Sequence, residues 1–189
     1  FNNDIDELMD LISALLKNNG ISEKYKKIFH GDRHILFRVL PYYDCYQDNE
    51  FLPLLTSVGC VFWCKYCASH LLFPHYLEKN SSDMINELEY YLKNYNVRNI
   101  SFYDDALLIN KEKRIIPFLR YVIDNKVNIN FHTPNGLHIN PVDRELALLF
   151  KQSGFKTLRF GYESCISKFQ KDSDNKTDNR NFEKALNDL

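Results

Sequence analysis

The sequence predicts an α/β fold, an open or partial (β/α) barrel of about four β/α units behind an N-terminal helical arm. Three observations carry this. From Pro53 onward strand-like runs alternate with helical ones, the pattern of a parallel sheet with right-handed crossovers. No Gly-rich phosphate fingerprint follows any strand, which argues against a doubly wound sheet. The residues with chemical capacity sit just past the C-terminal ends of all four expected strands, where barrel enzymes build their sites. At 189 residues, 44% hydrophobic and 26% charged, the chain can bury a core of its own.

Charge and hydropathy exclude several classes. Lys and Arg number 24 against 25 Asp and Glu, a net charge of -1, so no global basic field draws the chain to nucleic acid or anionic lipid. No apolar run approaches the roughly 18 residues of a membrane span. Asp4, Asp6, Glu7 and Asp10 interrupt the first apolar pattern, which is therefore neither a signal peptide nor an anchor. The missing initiator Met and the abrupt end at Leu189 read as those of a fragment.

Along the chain, Ile5, Leu8, Met9, Ile12, Leu15 and Leu16 recur at helical spacing and Gly20 follows, predicting a helix over residues 5–16. A polar connector leads to a strand over 35–40, ended by Pro41. Residues 42–50 have no usable period, and the arm is assigned to residues 1–52 and the core unit to 53–189. Within that unit the first strand is expected over 54–58, running into Gly59 and a group of cysteines. A helix over 82–94 carries Met84, Ile85, Leu88 and Leu92 on one side, and a strand over 98–103 ends in Asp104-Asp105. Next come a helix within 111–125, with Pro117 near its start, and a strand over 127–132 that closes at Thr133-Pro134-Asn135-Gly136. Pro141 is expected at the first turn of a helix reaching Gln152, with Gly154 as its stop. A fourth strand over 157–161 ends in Tyr162-Glu163-Ser164-Cys165. After a polar stretch over 171–180, a further helix begins at Asn181.

The five cysteines are an odd number with three inside eight residues, which is no disulfide framework. They point to a metal site in a reducing compartment, by default the cytoplasm. Cys60, Cys64 and Cys67 form a C-x3-C-x2-C loop. Three thiolates so spaced can occupy three corners of a cubic iron–sulfur cluster and leave one iron able to take a substrate. Two other readings stand beside this one. With His70 the same cysteines make a Cys3His set for structural zinc. With Cys165 as a fourth ligand they would make a closed electron carrier.

The spacing, Tyr66 just before the last cysteine, and the place of the loop after a first strand resemble the radical S-adenosylmethionine (SAM) superfamily. Phe102-Tyr103-Asp104-Asp105, Thr133 to Gly136 and Gly161-Tyr162-Glu163-Ser164 are similar to the branch that often carries an upstream cobalamin-binding domain. The resemblance implies a partial barrel of the radical SAM type. That barrel normally has six strands, so this one would be truncated at about four. It also implies a [4Fe-4S] cluster held by Cys60, Cys64 and Cys67, whose open iron chelates the amino and carboxylate groups of SAM. One electron from a reducing donor would then cleave SAM to methionine and a 5′-deoxyadenosyl radical, which takes a hydrogen atom from a substrate that the sequence does not name. Cobalamin, where used, would belong to a domain upstream of Phe1, since Asp32-Arg33-His34-Ile35-Leu36-Phe37 lacks the glycine of a cobalamin motif.

The resemblance further implies cofactor-binding roles for single residues, each with a plainer alternative. Tyr66 would lie beside the adenine, or simply pack the loop. Asp104 or Asp105 would receive the SAM ammonium, or cap the following helix. Asn135 would bond the ribose or carboxylate, or make a turn with Gly136. Glu163 would reach the ribose or amino group, or form a surface ion pair. Phe62 and Trp63 are expected to keep the cluster dry, His132 to be a satisfied core histidine, and Cys165 to be a buried inert thiol.

Overall fold

The computed structural model describes residues 40–73, 75–172 and 176–188. The expected helix over 5–16 and most of the strand over 35–40 lie outside them. The elements are β1 (Phe51–Leu54), β2 (Ser57–Val58), α1 (Ser69–Leu72), β3 (Leu77–Glu78), α2 (Ser81–Asn94), β4 (Asn99–Phe102), α3 (Ile115–Asp124), β5 (Asn130–His132), α4 (Arg144–Gln152), β6 (Phe155–Thr157), α5 (Ser167–Asp172) and α6 (Asn179–Asp188).

Four strands form one parallel sheet in the order β1-β4-β5-β6. The order never reverses, so successive right-handed crossovers place their helices on the same face. Strand alternation puts Leu52, Leu54, Ile100, Phe102 and Phe131 on that face. There they share one core with Met84, Leu88 and Tyr91 of α2, Phe118, Leu119 and Val122 of α3, and Leu146 and Phe150 of α4. The Phe118 ring meets Phe102 and Phe131 edge-on, each at 5.9 Å between centroids.

The opposite face carries a polar ladder. His132 bonds Thr157 Oγ1 through Nδ1 (3.1 Å) and Asn99 Oδ1 through Nε2 (3.3 Å), and Asn130 Nδ2 donates to Asn99 Oδ1 at 3.1 Å. The Phe51 ring stacks on His132 at 5.5 Å. His132 is thus the satisfied histidine expected of it, though half-buried.

Local chemistry sets the element ends. Asn80 caps α2 by accepting from the Asp83 N–H at 2.8 Å, and Met84, Leu88 and Tyr91 make its buried stripe. Pro117 falls in the first turn of α3, where its missing N–H leaves no bond unmade. Pro141, expected in the first turn of α4, lies in the turn before it. Asp143 is the cap, its Oδ1 accepting from the Leu146 N–H at 2.8 Å. Gly154 stops the helix at φ +94°, and a Cβ there would lie 2.6 Å from the Ile129 carbonyl oxygen, so only glycine fits. Phe182 of α6 packs on Tyr162 at 4.3 Å.

Three strands differ from expectation, the third only in starting at Asn130 rather than at Val127. The first occupies Phe51–Leu54, beginning before the expected boundary at residue 53, and Pro53 is tolerated because β1 is an edge of the described sheet. The chain leaves that sheet at Thr56, whose N–H is taken by the Asp104 carboxylate (3.2 Å). Ser57–Val58 then pairs antiparallel with Leu77–Glu78. The fourth parallel strand is Phe155–Thr157 rather than 157–161. Past it the Thr133 hydroxyl enters the ladder, donating to Thr157 O (3.2 Å) and accepting from Arg159 N (3.1 Å). Beyond this only a bridge between Leu137 and Phe160 continues the pairing.

Candidate functional site

The C-terminal edge of the sheet faces the cysteine loop, a long excursion that leaves β2 and returns through β3. Gly59 makes its first bend at φ +77°, and a Cβ there would meet the His75 carbonyl oxygen at 2.7 Å, so the two ends of the loop lie close together. Inside it, the Cys67 N–H donates to Cys64 O at 3.0 Å. None of the cysteines is in a disulfide; Cys64 is buried at 3% exposure, and Cys60 and Cys67 are half-buried.

Three strand ends reach this loop. From β4, the Asp105 Oδ2 accepts from Ser69 Oγ at 3.0 Å, and Ser69 Oγ in turn accepts from Cys67 Sγ at 3.3 Å. From the segment after β5, the ring of His138 packs against Phe62 at 5.1 Å. From the segment after β6, Glu163 acts on the Tyr66 hydroxyl, as does Cys64 from within the loop. Burial foremost, then Cys64, then Glu163 hold that hydroxyl far above its usual range. Tyr66 also stacks on Phe169 of α5 at 5.6 Å.

The electrostatics around the loop are mixed. Burial pushes the Cys60 thiol up, opposed by the Phe62 backbone and the Lys176 charge. Lys176 Nζ lies 3.8 Å from Glu163 Oε1. Glu163 itself sits at φ +64°, the left-handed region, a departure of the kind that collects at functional sites. Gly136 and Gly161 let the ends of the third and fourth units approach, a Cβ on Gly136 falling 3.2 Å from the Gly161 nitrogen. Asn135 Nδ2 donates to Tyr103 O at 2.9 Å, fixing it beside the β4 end.

The two aspartates part company. Asp105 is exposed and turned to the loop. Asp104 is buried, and its carboxylate accepts from Thr56 Oγ1 and Ser57 Oγ, each at 2.6 Å, and from Thr56 N. Burial pushes that carboxyl up against the pull of those bonds and of the Arg114 charge. Cys165, expected to be buried, is exposed. Trp63 is also largely exposed, its ring tilted over His70 at 4.9 Å. The Nδ1 of His70 is buried without a partner.

Ser69, His138 and Lys176 also border the cysteine loop, and the sequence does not single them out. Lys176 lies in a polar stretch that reads as solvated surface, and His138 has no motif around it. The donor set suits a cluster with one open iron, since the loop supplies three thiols. Among the described residues, however, no group of three or more His, Cys, Asp or Glu side chains is drawn together to hold a metal ion.

No family model matches the chain. Over 116 residues it is 30% identical to an uncharacterised methyltransferase of Pyrococcus horikoshii, an alignment covering 61% of this chain and 25% of that protein. The chain thus spans about a quarter of the length of this curated relative. Among solved structures it is similar to TsrM, a radical SAM methyltransferase from Kitasatospora setae. One TsrM structure, with cobalamin and a [4Fe-4S] cluster bound, superposes with a TM-score of 0.59 at 15% identity over 73% of this chain and 26% of that one. Another, with tryptophan substrate and the SAM analogue aza-SAM, gives 0.60 at 15% identity over 76% and 29%. The fold is shared with TsrM. The likeness covers about three quarters of this chain and between 26% and 29% of TsrM.

Proposed function

We propose that this chain is the cluster- and SAM-binding part of a radical SAM methyltransferase. The observation that carries the reading is the convergence of three strand ends on one cysteine loop, through Ser69 and Asp105, Phe62 and His138, and Tyr66 and Glu163. The methyltransferase relative and the fold shared with TsrM support it. In this reading the sheet is the opening part of a barrel, its core unit beginning near residue 53.

Cys60, Cys64 and Cys67 would hold the [4Fe-4S] cluster, which when bound supplies one electron to the SAM sulfonium. Asp105 would receive the SAM ammonium, because Asp104 is engaged inside the protein. Tyr66, stacked on Phe169, offers a flat surface for adenine. Glu163 would accept from ribose hydroxyls, and Asn135 would orient the same ligand from the third unit. Phe62 and His138 close the inner wall of the loop against water. Cobalamin, which TsrM binds, is assigned to no residue of this chain. No helix among the described residues is long and apolar enough to cross a membrane. A thiol-rich loop of this kind fits a reducing compartment such as the cytoplasm, which would also furnish the electron donor.

Anaerobic reconstitution with iron and sulfide tests this reading. The expected result is a cluster absorbance, a spectral change on adding SAM, and cleavage of SAM under reductant. Changing Cys60, Cys64 or Cys67 to Ala should abolish all three, whereas Cys165→Ala should keep the cluster. One observation favours a second reading: the unpartnered Nδ1 of His70 beside the cysteine loop is the fourth donor that a Cys3His zinc site needs. Stoichiometric zinc with no iron uptake would establish that reading, and dependence of the cluster on Cys165 would indicate an electron carrier.

A further inference from the structure

Arg114 precedes α3 and is only 1% exposed. All five of its N–H donors are used. Nε donates to Lys79 O (3.0 Å), Nη1 to Tyr76 Oη (3.0 Å) and Ile109 O (2.9 Å), and Nη2 to Thr56 O (3.0 Å) and Thr56 Oγ1 (2.9 Å). Thr56 stands where the chain departs toward the cysteine loop, and Tyr76 and Lys79 where it returns. Glu78 Oε2 and Asp104 Oδ1 flank the guanidinium at 3.4 and 3.9 Å. Asp104 in turn grips Thr56 and Ser57.

We infer that Arg114, backed by Asp104, is the positioning residue of the cysteine loop: it fixes both stems of the loop relative to β4, and so sets the distance between the three thiols and Asp105. The inference rests on the cofactor reading above and adds the device that holds the two halves of that site in register. The three cysteines lie within one short stretch and do not need Arg114 to reach a common metal. A ligand bridging loop and strand end does need it, because one of its anchors is on the loop and the other is on β4. A lysine cannot substitute, since its three donors from a single point leave at least two of the five bonds that Arg114 makes unmade. The pairing between the stems themselves is short: β2 and β3 are two residues each, and within the loop Leu71, Leu72 and Phe73 are exposed.

The test uses the full chain as wild type, Arg114→Lys, Asp104→Asn and Tyr76→Phe. Without any cofactor, alkylation of buried Cys64 is timed against exposed Cys45 and Cys165, and amide exchange of the loop is timed against that of Phe131 in the sheet. Arg114→Lys should speed Cys64 alkylation and loop exchange about tenfold or more, with Phe131 and the two exposed thiols unchanged. Tyr76→Phe, which takes away one of the five acceptors of Arg114, should give a smaller change in the same direction and keeps the test alive if the lysine variant does not fold. After reconstitution, the Arg114 and Asp104 variants should keep their iron content yet need about tenfold more SAM to produce the spectral change. The inference is overturned if loop and Cys64 rates stay at wild-type values, or if Phe131 exchange rises in step with them, which would make Arg114 a general stability residue. If wild type takes up no iron while Arg114→Lys still loosens the loop, the hold on the loop is upheld and the cofactor reading is what falls.

Discussion

Glu163 combines a carboxylate aimed at Tyr66 and Lys176 with a backbone angle that most side chains avoid. The left-handed region costs a residue with a Cβ about 1 kcal/mol, and glycine almost nothing. Glu163→Gly should therefore be more stable than Glu163→Ala by about 1 kcal/mol in urea melts, while both lose SAM binding. Equal stabilities would mean that the angle relaxes without cost. The position of Glu163 after a strand was readable from the sequence; its strain was not, since nothing local demands it. The same limit separates Asp104 from Asp105. Side by side they look equivalent, and only the partners Thr56, Ser57 and Arg114, roughly fifty residues before and ten after, turn one inward and leave the other facing the loop.

Elements follow from caps and stripes as much as from periodicity. Asp143 holds the start of α4 with one oxygen and accepts from Lys111 Nζ at 2.5 Å with the other, which keeps its carboxyl below the usual carboxylate range although burial opposes this. Asp143→Ala should cost about 1–2 kcal/mol in a thermal or urea melt, and Asp143→Asn clearly less because the cap survives. The helices were legible because their apolar residues recur at three- and four-residue spacing, and α2 begins within one residue of expectation. The first strand was not. Leu54 to Val58 reads as one apolar run, yet a side chain from the far end of β4 captures Thr56 and splits it. Pro141 misled for a related reason: proline suits a first helical turn, but an aspartate two residues later supplies the oxygen that the helix start needs.

For the molecule as a whole, acid should act through His138. It is 3% exposed, and burial, aided by the Lys176 charge, lowers its pKa from 6.5 to about 4. Between those values the unfolded chain takes the proton and the folded chain does not, so stability falls as pH drops from about 6.5 toward 4, by up to about 3 kcal/mol. Urea titrations at several pH values should show this slope, and His138→Phe should flatten it. The α/β class and the position of Asp105, Asn135 and Glu163 beyond strand ends were legible from the alternation of elements. The convergence on the cysteine loop was not, because Ser69, His138 and Lys176 are ordinary residues until folding brings them together.

The unreversed strand order bears on synthesis. Each parallel strand after β1 pairs with the one made just before it, so a chain emerging from the ribosome can extend the sheet at a single growing edge. No strand of the sheet among the described residues has to hold a gap open for a later one, unlike the unpaired centre that a doubly wound topology leaves waiting.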